Sequence, residues 1–424
     1  MSRAASPNLA RMSDTLAILV GGGPAPGING VIASATIEAI NSGLRVIGIF
    51  DGYRDLAAGT EPKIIELSIE DVSRIHTYGG SSLRTSRTNP AKDERSLDNC
   101  IDALTKLGVR YLVAIGGDDT TYGAAKISAR AEGRIGIATV PKTIDNDLPL
   151  PDNAPSFGFE TARSVGAGII ESLLEDARTT TRWYIVISMG RKSGALALGM
   201  CKAAGATLAV IPEQFPGGDI GIDLVIDTIV GAIVKRRATG SDHGVAVVAE
   251  GIVERVSVDA LAALESTTRD AYGHVRLADV PIGTLIRDGV RKALTDLGIE
   301  ATILTKDIGY ELRCAKPVAF DVDYTRTLGY GAVRYLLGGG SGALIALSGG
   351  HVRPVALDEL LDPVSGRIRT RSVDATSEAY HVARDYMVLL EPSDFEPPRL
   401  ARLAAQTNLS PAAFAERFSP VGLD

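Results

Sequence analysis

Short runs of β-branched and apolar residues alternate along the chain with helix-spaced apolar patterns, and glycine-rich turns separate them. That alternation predicts parallel α/β units. The first unit reads as a strand at residues 15–20, a loop GGGPAPG at Gly21–Gly27 and a helix from Ile28 to about Ile40. Asn41-Ser42-Gly43 supplies its C-terminal turn. A second strand is expected at 44–50. Further strands are expected at 111–115, 135–140, 183–188 and 245–248. They run into GGDD (Gly116–Asp119), PKTIDND (Pro141–Asp147), MGRKSG (Met189–Gly194) and AEG (Ala249–Gly251). Ligands of open α/β sheets bind outside the carboxyl ends of the strands, so the pattern gathers these loops along one rim.

Composition narrows the class. With 45% hydrophobic, 22% charged and 5% aromatic residues the chain is globular, which excludes disordered, collagenous and low-complexity scaffolds. Its 424 residues allow two or three ordinary domains, or two lobes sharing one chain. A net charge of -7 argues against a broad nucleic-acid surface and leaves room for a local anion pocket. Cys100, Cys201 and Cys314 lie far apart, which suits a reduced, cytoplasmic chain better than a disulfide framework or zinc site. Residues 1–13 read as a flexible leader without an apolar core, and no run approaches 18 apolar residues. A Pro/Asp/Asn-rich stretch at Leu148–Pro155 is the expected crossover between lobes. Pro397-Pro398 precedes an Ala-rich helical tail ending near Phe418.

The loops carry the chemistry. GGGPAPGIN (Gly21–Asn29) joins a strand to a helix, where backbone N–H groups and the helix dipole favour an anion; the plainer reading is a tight turn with no ligand. It is neither a Walker A loop nor a dinucleotide fingerprint. GGDD sets two carboxylates behind glycines at a strand end, which suits Mg²⁺ bridged to substrate phosphate as well as a solvated loop. PKTIDND holds two carboxylates at i, i+2 spacing with an amide between them, a hydroxyl and a lysine. Those groups supply a general base, a metal ligand and a phosphate clamp, or else an Asx-rich turn. Arg182 and Arg191 offer planar forks for phosphate. Glu250 closes an apolar strand, and Tyr310 and Arg313 form either a pocket edge or a surface pair.

Together these segments resemble the phosphofructokinase family, which includes ATP-dependent and diphosphate-dependent enzymes. GGGPAPGIN, GGSSLRTSRT, IGGDD, PKTIDND, the spacing from Arg182 to MGR, AEG and GYELR occur in the family's order over roughly residues 15–390. The resemblance implies an α/β fold of two Rossmann-like lobes with mostly parallel sheets and an active site in the cleft between them. The larger, donor-side lobe would comprise 14–156 with about 314–390, the smaller, sugar-phosphate lobe 157–313, and a helical tail 391–424. It implies phosphoryl transfer to the 1-hydroxyl of fructose 6-phosphate, with Mg²⁺ as cofactor, in a homodimer or homotetramer.

Carried over residue by residue, the family's pattern puts Gly22 and Gly117 on the donor and Asp118 on Mg²⁺, with Asp147 in support. Asp145 would be the base, and Arg87 would face the transferred phosphoryl group. Thr143, Met189, Gly190, Arg191, Glu250, Tyr310 and Arg313 would hold the sugar phosphate, and Arg182 would reach it from a neighbouring subunit. At Asp119 and Lys142 the ATP-using members carry glycine, so the two side chains here look like the diphosphate-using branch. Asp119 would repel a nucleotide's α-phosphate, and Lys142 would stabilise the leaving phosphate. The chain departs from the family at Arg84, commonly glycine, at Ala195, often histidine in diphosphate enzymes, and at Tyr310, histidine in many ATP enzymes. Leu304 stands where a second interface arginine is expected, with Lys306 two residues away. The alternatives are an ATP-dependent kinase, a diphosphate-dependent kinase preferring sedoheptulose 7-phosphate, and a non-catalytic sugar-phosphate-binding subunit.

Overall fold

The computed structural model describes residues 14–215, 217–256 and 281–421, so the expected leader at 1–13 and the last three residues of the tail lie outside the described residues. The chain divides into two compact units, residues 1–162 with 310–371 and residues 163–309 with 372–424. The first boundary falls inside one helix, Phe159–Thr180; the stretch at 148–155 stays within the first unit. Tyr310–Arg313 belongs to the first unit and the segment from residue 372 to the second.

The described strands are β1 Thr15–Val20, β2 Arg45–Ile49, β3 Ile64–Glu66, β4 Val109–Gly116, β5 Gly136–Thr143 and β6 Phe157–Gly158. They continue with β7 Trp183–Ser188, β8 Leu208–Val210, β9 Gly244–Ala249, β10 Ile303–Ile308, β11 Ala343–Ser348 and β12 His351–Ala356. In the first unit the sheet runs β12-β11-β5-β4-β1-β2-β3, with β6 paired to β5. Only the edge pairs β2–β3 and β11–β12 are antiparallel. The chain moves outward one way from β1 to β2 and the other way from β4 to β5. The reversal between β1 and β4 makes their carboxyl ends a ligand crevice. In the second unit a four-stranded parallel sheet runs β10-β7-β9-β8.

Alternation along β1 builds two cores from one strand. Leu16, Ile18 and Val20 pack with the helices Ile28–Asn41 and Ala319–Leu337, while Ala17 and Leu19 join the layer of Leu97, Ile101 and Ile127. Both faces are fully buried, which is why β1 reads as a continuous apolar run. Two sequence expectations change. β5 extends to Thr143, so Lys142 and Thr143 are strand residues stapled by β6 at Phe157 and Gly158. Asp118 and Asp119 open the helix Asp118–Ala131 instead of lying in a loop. The tail forms two short helices, Arg399–Ala404 and Pro411–Phe418, anchored by buried Phe414 and Phe418. Among the described residues no helix is long and apolar enough to cross a membrane. Cys100 and Cys201 are buried and Cys314 is exposed, all as free thiols.

Candidate active site

In the first unit, β4 lies between β1 and β5, which sets GGGPAPG, GGDD and PKTIDND side by side on one rim. Backbone bonds join them. Gly21 N donates to the Ile115 carbonyl at 2.9 Å and Gly22 N to the Ser86 carbonyl at 2.8 Å. Thr85 Oγ1 donates to the Gly22 carbonyl at 2.5 Å, so the TSRT segment lies on the loop and carries Arg87, exposed, with it. The Gly21 and Gly22 amides therefore already have carbonyl partners, so these two of the loop's N–H groups are not open to an anion. Two side-chain cations also lie against the loop. A Cβ on Gly22, whose φ is 79°, would stand 3.1 Å from Lys142 Nζ, and one on Gly23 would overlap the Arg313 guanidinium. Without side chains these two glycines let both cations come close to the loop.

Lys142 is 5% exposed, and its Nζ donates to the Gly23 carbonyl. Burial pushes its pKa down to about 8; Arg313 lowers it too, against the pull of Asp145, Asp118 and Asp147. Three carboxylates and two cations thus share one electrostatic neighbourhood.

Gly117 precedes the helix Asp118–Ala131 as its cap. Asp118 is half-buried in the first turn, where the helix dipole favours a carboxylate. Asp119 is exposed, so its charge acts on its surroundings through water and is screened. Among the described residues no group of three or more His, Cys, Asp or Glu could hold a metal ion unaided. Asp118 and Asp147 nevertheless fit Mg²⁺, a hard cation that takes one or two carboxylates and completes its shell with phosphate oxygens and water.

The TIDND turn is held from several sides. Asp145 and Asp147 are 7% and 5% exposed, and Asn146 between them has a φ of 56°, a left-handed conformation that asparagine tolerates. Thr143 Oγ1 accepts from Asp145 N at 3.0 Å, and the Thr143 carbonyl accepts from Ser156 Oγ at 2.9 Å. Asn146 Oδ1 accepts from Ser156 N at 3.1 Å. Arg371 Nε donates to the Asn146 carbonyl at 2.9 Å, and its backbone N to the Asp147 carbonyl at 2.7 Å. Neither Ser156 nor Arg371 stood out in the sequence, because neither belongs to a motif. Tyr310, 80% exposed, and half-buried Arg313 share a single helical turn at i, i+3, with the guanidinium 5.7 Å from the ring centre.

In the second unit β7 and β9 are neighbours, so Met189–Arg191 and Glu250 leave the sheet at one rim. Glu250 Oε1 accepts from Gly190 N at 3.1 Å and Arg191 N at 2.9 Å. It therefore holds the MGR turn, a role the sequence did not suggest. Met189 N donates to the Ile308 carbonyl at 3.0 Å, and Arg191 is exposed with a φ of 48°. Arg182 stands at the opposite end of β7, roughly 25 Å from this turn at the strand's rise per residue. Its guanidinium lies 3.7 Å from the Asp176 carboxylate. Leu304 lies at Arg182's end of the sheet, pairing with Tyr184, and Lys306 is exposed mid-strand. Arg84 has a φ of 55°, which accounts for glycine being common there, and Ala195 opens the helix Ala195–Ala204.

Three comparisons bear on this arrangement. The Phosphofructokinase family profile matches residues 15–336. The chain is 50% identical over 413 residues to a pyrophosphate–fructose 6-phosphate 1-phosphotransferase of Thermotoga maritima, covering 96% of this chain and 98% of that one. It is 48% identical to a protein of the same name from Naegleria fowleri, covering 95% of each. The crystal structure of a pyrophosphate-dependent phosphofructokinase from Marinobacter aquaeolei shares the fold, with a TM-score of 0.67 at 18% identity, covering 88% of this chain and 90% of that one.

Proposed function

The chain belongs to the phosphofructokinase family, and on that premise we propose that it moves a phosphoryl group from diphosphate to the 1-hydroxyl of fructose 6-phosphate, reversibly giving fructose 1,6-bisphosphate and phosphate. The observation that carries the donor reading is Lys142: a buried cation, held on the Gly23 carbonyl, at the rim of the first unit. A cation fixed there answers a short, highly charged donor. Phosphoryl transfer is mostly positioning and neutralisation of charge, so such a group has direct leverage.

Asp145 takes the proton of the 1-hydroxyl as that oxygen attacks. Lys142 meets the charge developing on the leaving phosphate, and Arg87 faces the transferred group. Gly22 and Gly117 admit the donor closely, and Asp119 opposes any continuation into a nucleotide. Asp118 and Asp147 would hold Mg²⁺, which neutralises donor oxygens when bound. Thr143, Met189, Gly190, Arg191, Glu250, Tyr310 and Arg313 hold the sugar phosphate. Among these, Arg313 is the cation already lying against the donor loop.

Arg182 serves the sugar phosphate of a second copy of the chain, because β7 separates it from its own MGR turn. The active form is therefore a homo-oligomer, and full activity in a species of monomer mass would contradict this. The enzyme works in the cytoplasm. Initial rates of purified protein with diphosphate and ATP, each against fructose 6-phosphate and sedoheptulose 7-phosphate, test the substrate reading. Preference for diphosphate with fructose 6-phosphate supports it, and preference for either alternative overturns that half.

A further inference from the structure

Residues 144–156 leave β5 as a long loop, and loops of this kind ordinarily move on a rigid scaffold. Here the loop carries Asp145 and Asp147. One side chain from far along the chain closes it. Besides its bonds to the carbonyls of Asn146 and Asp147, Arg371 sends Nη2 to the Ala154 carbonyl at 2.8 Å and to Asn146 Oδ1 at 2.5 Å. One residue thus bridges both ends of the loop and grips the left-handed residue between the carboxylates from two sides. Ser156 makes the shorter closure, from its hydroxyl to the Thr143 carbonyl and from its amide to Asn146 Oδ1. Arg371 itself packs near Tyr324, whose buried hydroxyl has no hydrogen-bond partner among the described atoms.

The chemistry of the residue fits this work. A guanidinium offers several donors in one plane, so it can reach three oxygens in different directions while staying charged. A lysine is a single point and can satisfy one or two of them. Catalysis is sensitive to such placement, since a displacement of about 1 Å costs on the order of 10²-fold in rate.

We infer that Arg371 is a positioning residue for phosphoryl transfer: it locks the turn at Asn146 so that Asp145 and Asp147 keep the geometry the reaction needs. The inference rests on Asp145 being the base, as read above, and it concerns a residue whose hydrogen bonds go to Asn146, Asp147 and Ala154 of the turn.

The test compares Arg371→Ala and Arg371→Lys with the wild type, using whichever donor the wild type turns over, so that a wrong donor assignment leaves the outcome legible. Arg371→Ala should lose roughly 10²-fold in kcat, with KM for both substrates changed less than about threefold. Guanidinium ion at low millimolar concentration should restore about tenfold of that loss, while the same concentration of ammonium should not. Neither the wild type nor Asp145→Ser should respond. Arg371→Lys should fall between Ala and wild type, and it carries the test alone if thermal unfolding shows Arg371→Ala to be unfolded. A folded variant with kcat within about twofold of wild type would overturn the inference, as would a loss confined to KM. Failure of guanidinium to rescue a folded Arg371→Ala would overturn it too.

Discussion

In the first unit three charged side chains of the candidate site are withdrawn from water. Lys142, Asp145 and Asp147 are each at most 7% exposed, and they act on one another electrostatically. In the second unit the candidate turn keeps its cation, Arg191, on the surface, and Glu250 is occupied with backbone amides. Burial strengthens charge interactions and moves pKa values, which chemistry needs; an exposed fork on a stapled turn suits docking a phosphate that does not react. The first unit is therefore read as the place of bond-making and the second as a holder. Substitutions in the first should strike kcat, and those in the second KM.

The largest effect is expected at Asp145. Asp145→Ser should lower kcat by roughly 10²–10⁴, the span of general base catalysis, with binding of the sugar phosphate changed far less. Near-normal turnover would remove Asp145 from the role and blur the contrast between the units.

Lys142 comes next. Lys142→Gly should lower kcat/KM for diphosphate by roughly 10²–10³, as for loss of one preorganised charge donor. Its depressed pKa adds a signature. Lysine is charged below its pKa, so kcat/KM for diphosphate, which reports the free enzyme, should fall as pH rises through about 8. Lys142→Arg should move that limb upward, because arginine stays charged. A wild-type profile flat across that range would mean that the Lys142 cation is not needed.

The smallest of the three lies in the second unit. Glu250→Ala removes one charged acceptor from two amides, so the MGR turn should loosen. Roughly a tenfold rise in KM for fructose 6-phosphate with little change in kcat is expected. If kcat collapsed instead, Glu250 would belong with the chemistry and the division between the units would fail.

Much of the first unit could be read from the chain because its information is local. β1 was legible as 15–20 since both its faces are buried and Leu16–Val20 is an unbroken apolar run, and β7 was legible as 183–188 from the similar run at its start. The contents of GGDD and PKTIDND were visible as residue types, but not their setting. That Lys142 and Thr143 are strand residues depends on a two-residue partner at 157–158, too short to leave a periodic signal. Arg371 acts on Asn146 from 225 positions away, and no motif surrounds it. Glu250 was legible as a carboxylate at a strand end, but nothing in the sequence hints that it also holds the amides of the neighbouring MGR turn. Arg182 was legible as a phosphate-binding type, while its separation from Arg191 needed the strand between them. The exposure of Asp119 is likewise a property of the helix end and not of the motif.

The central claim is that the first unit accepts diphosphate and refuses a nucleotide, and kcat/KM for both donors, measured in the wild type and in Asp119→Gly, tests it most directly. The wild type should favour diphosphate over ATP by at least about 10²-fold. Asp119→Gly should narrow that ratio by raising ATP use, though modestly, because the carboxylate is exposed and its field is screened. Lys142 remains in that variant, so diphosphate turnover should persist. A wild type that favours ATP would contradict the account, and its site would then have to be rebuilt around a nucleotide on the same fold.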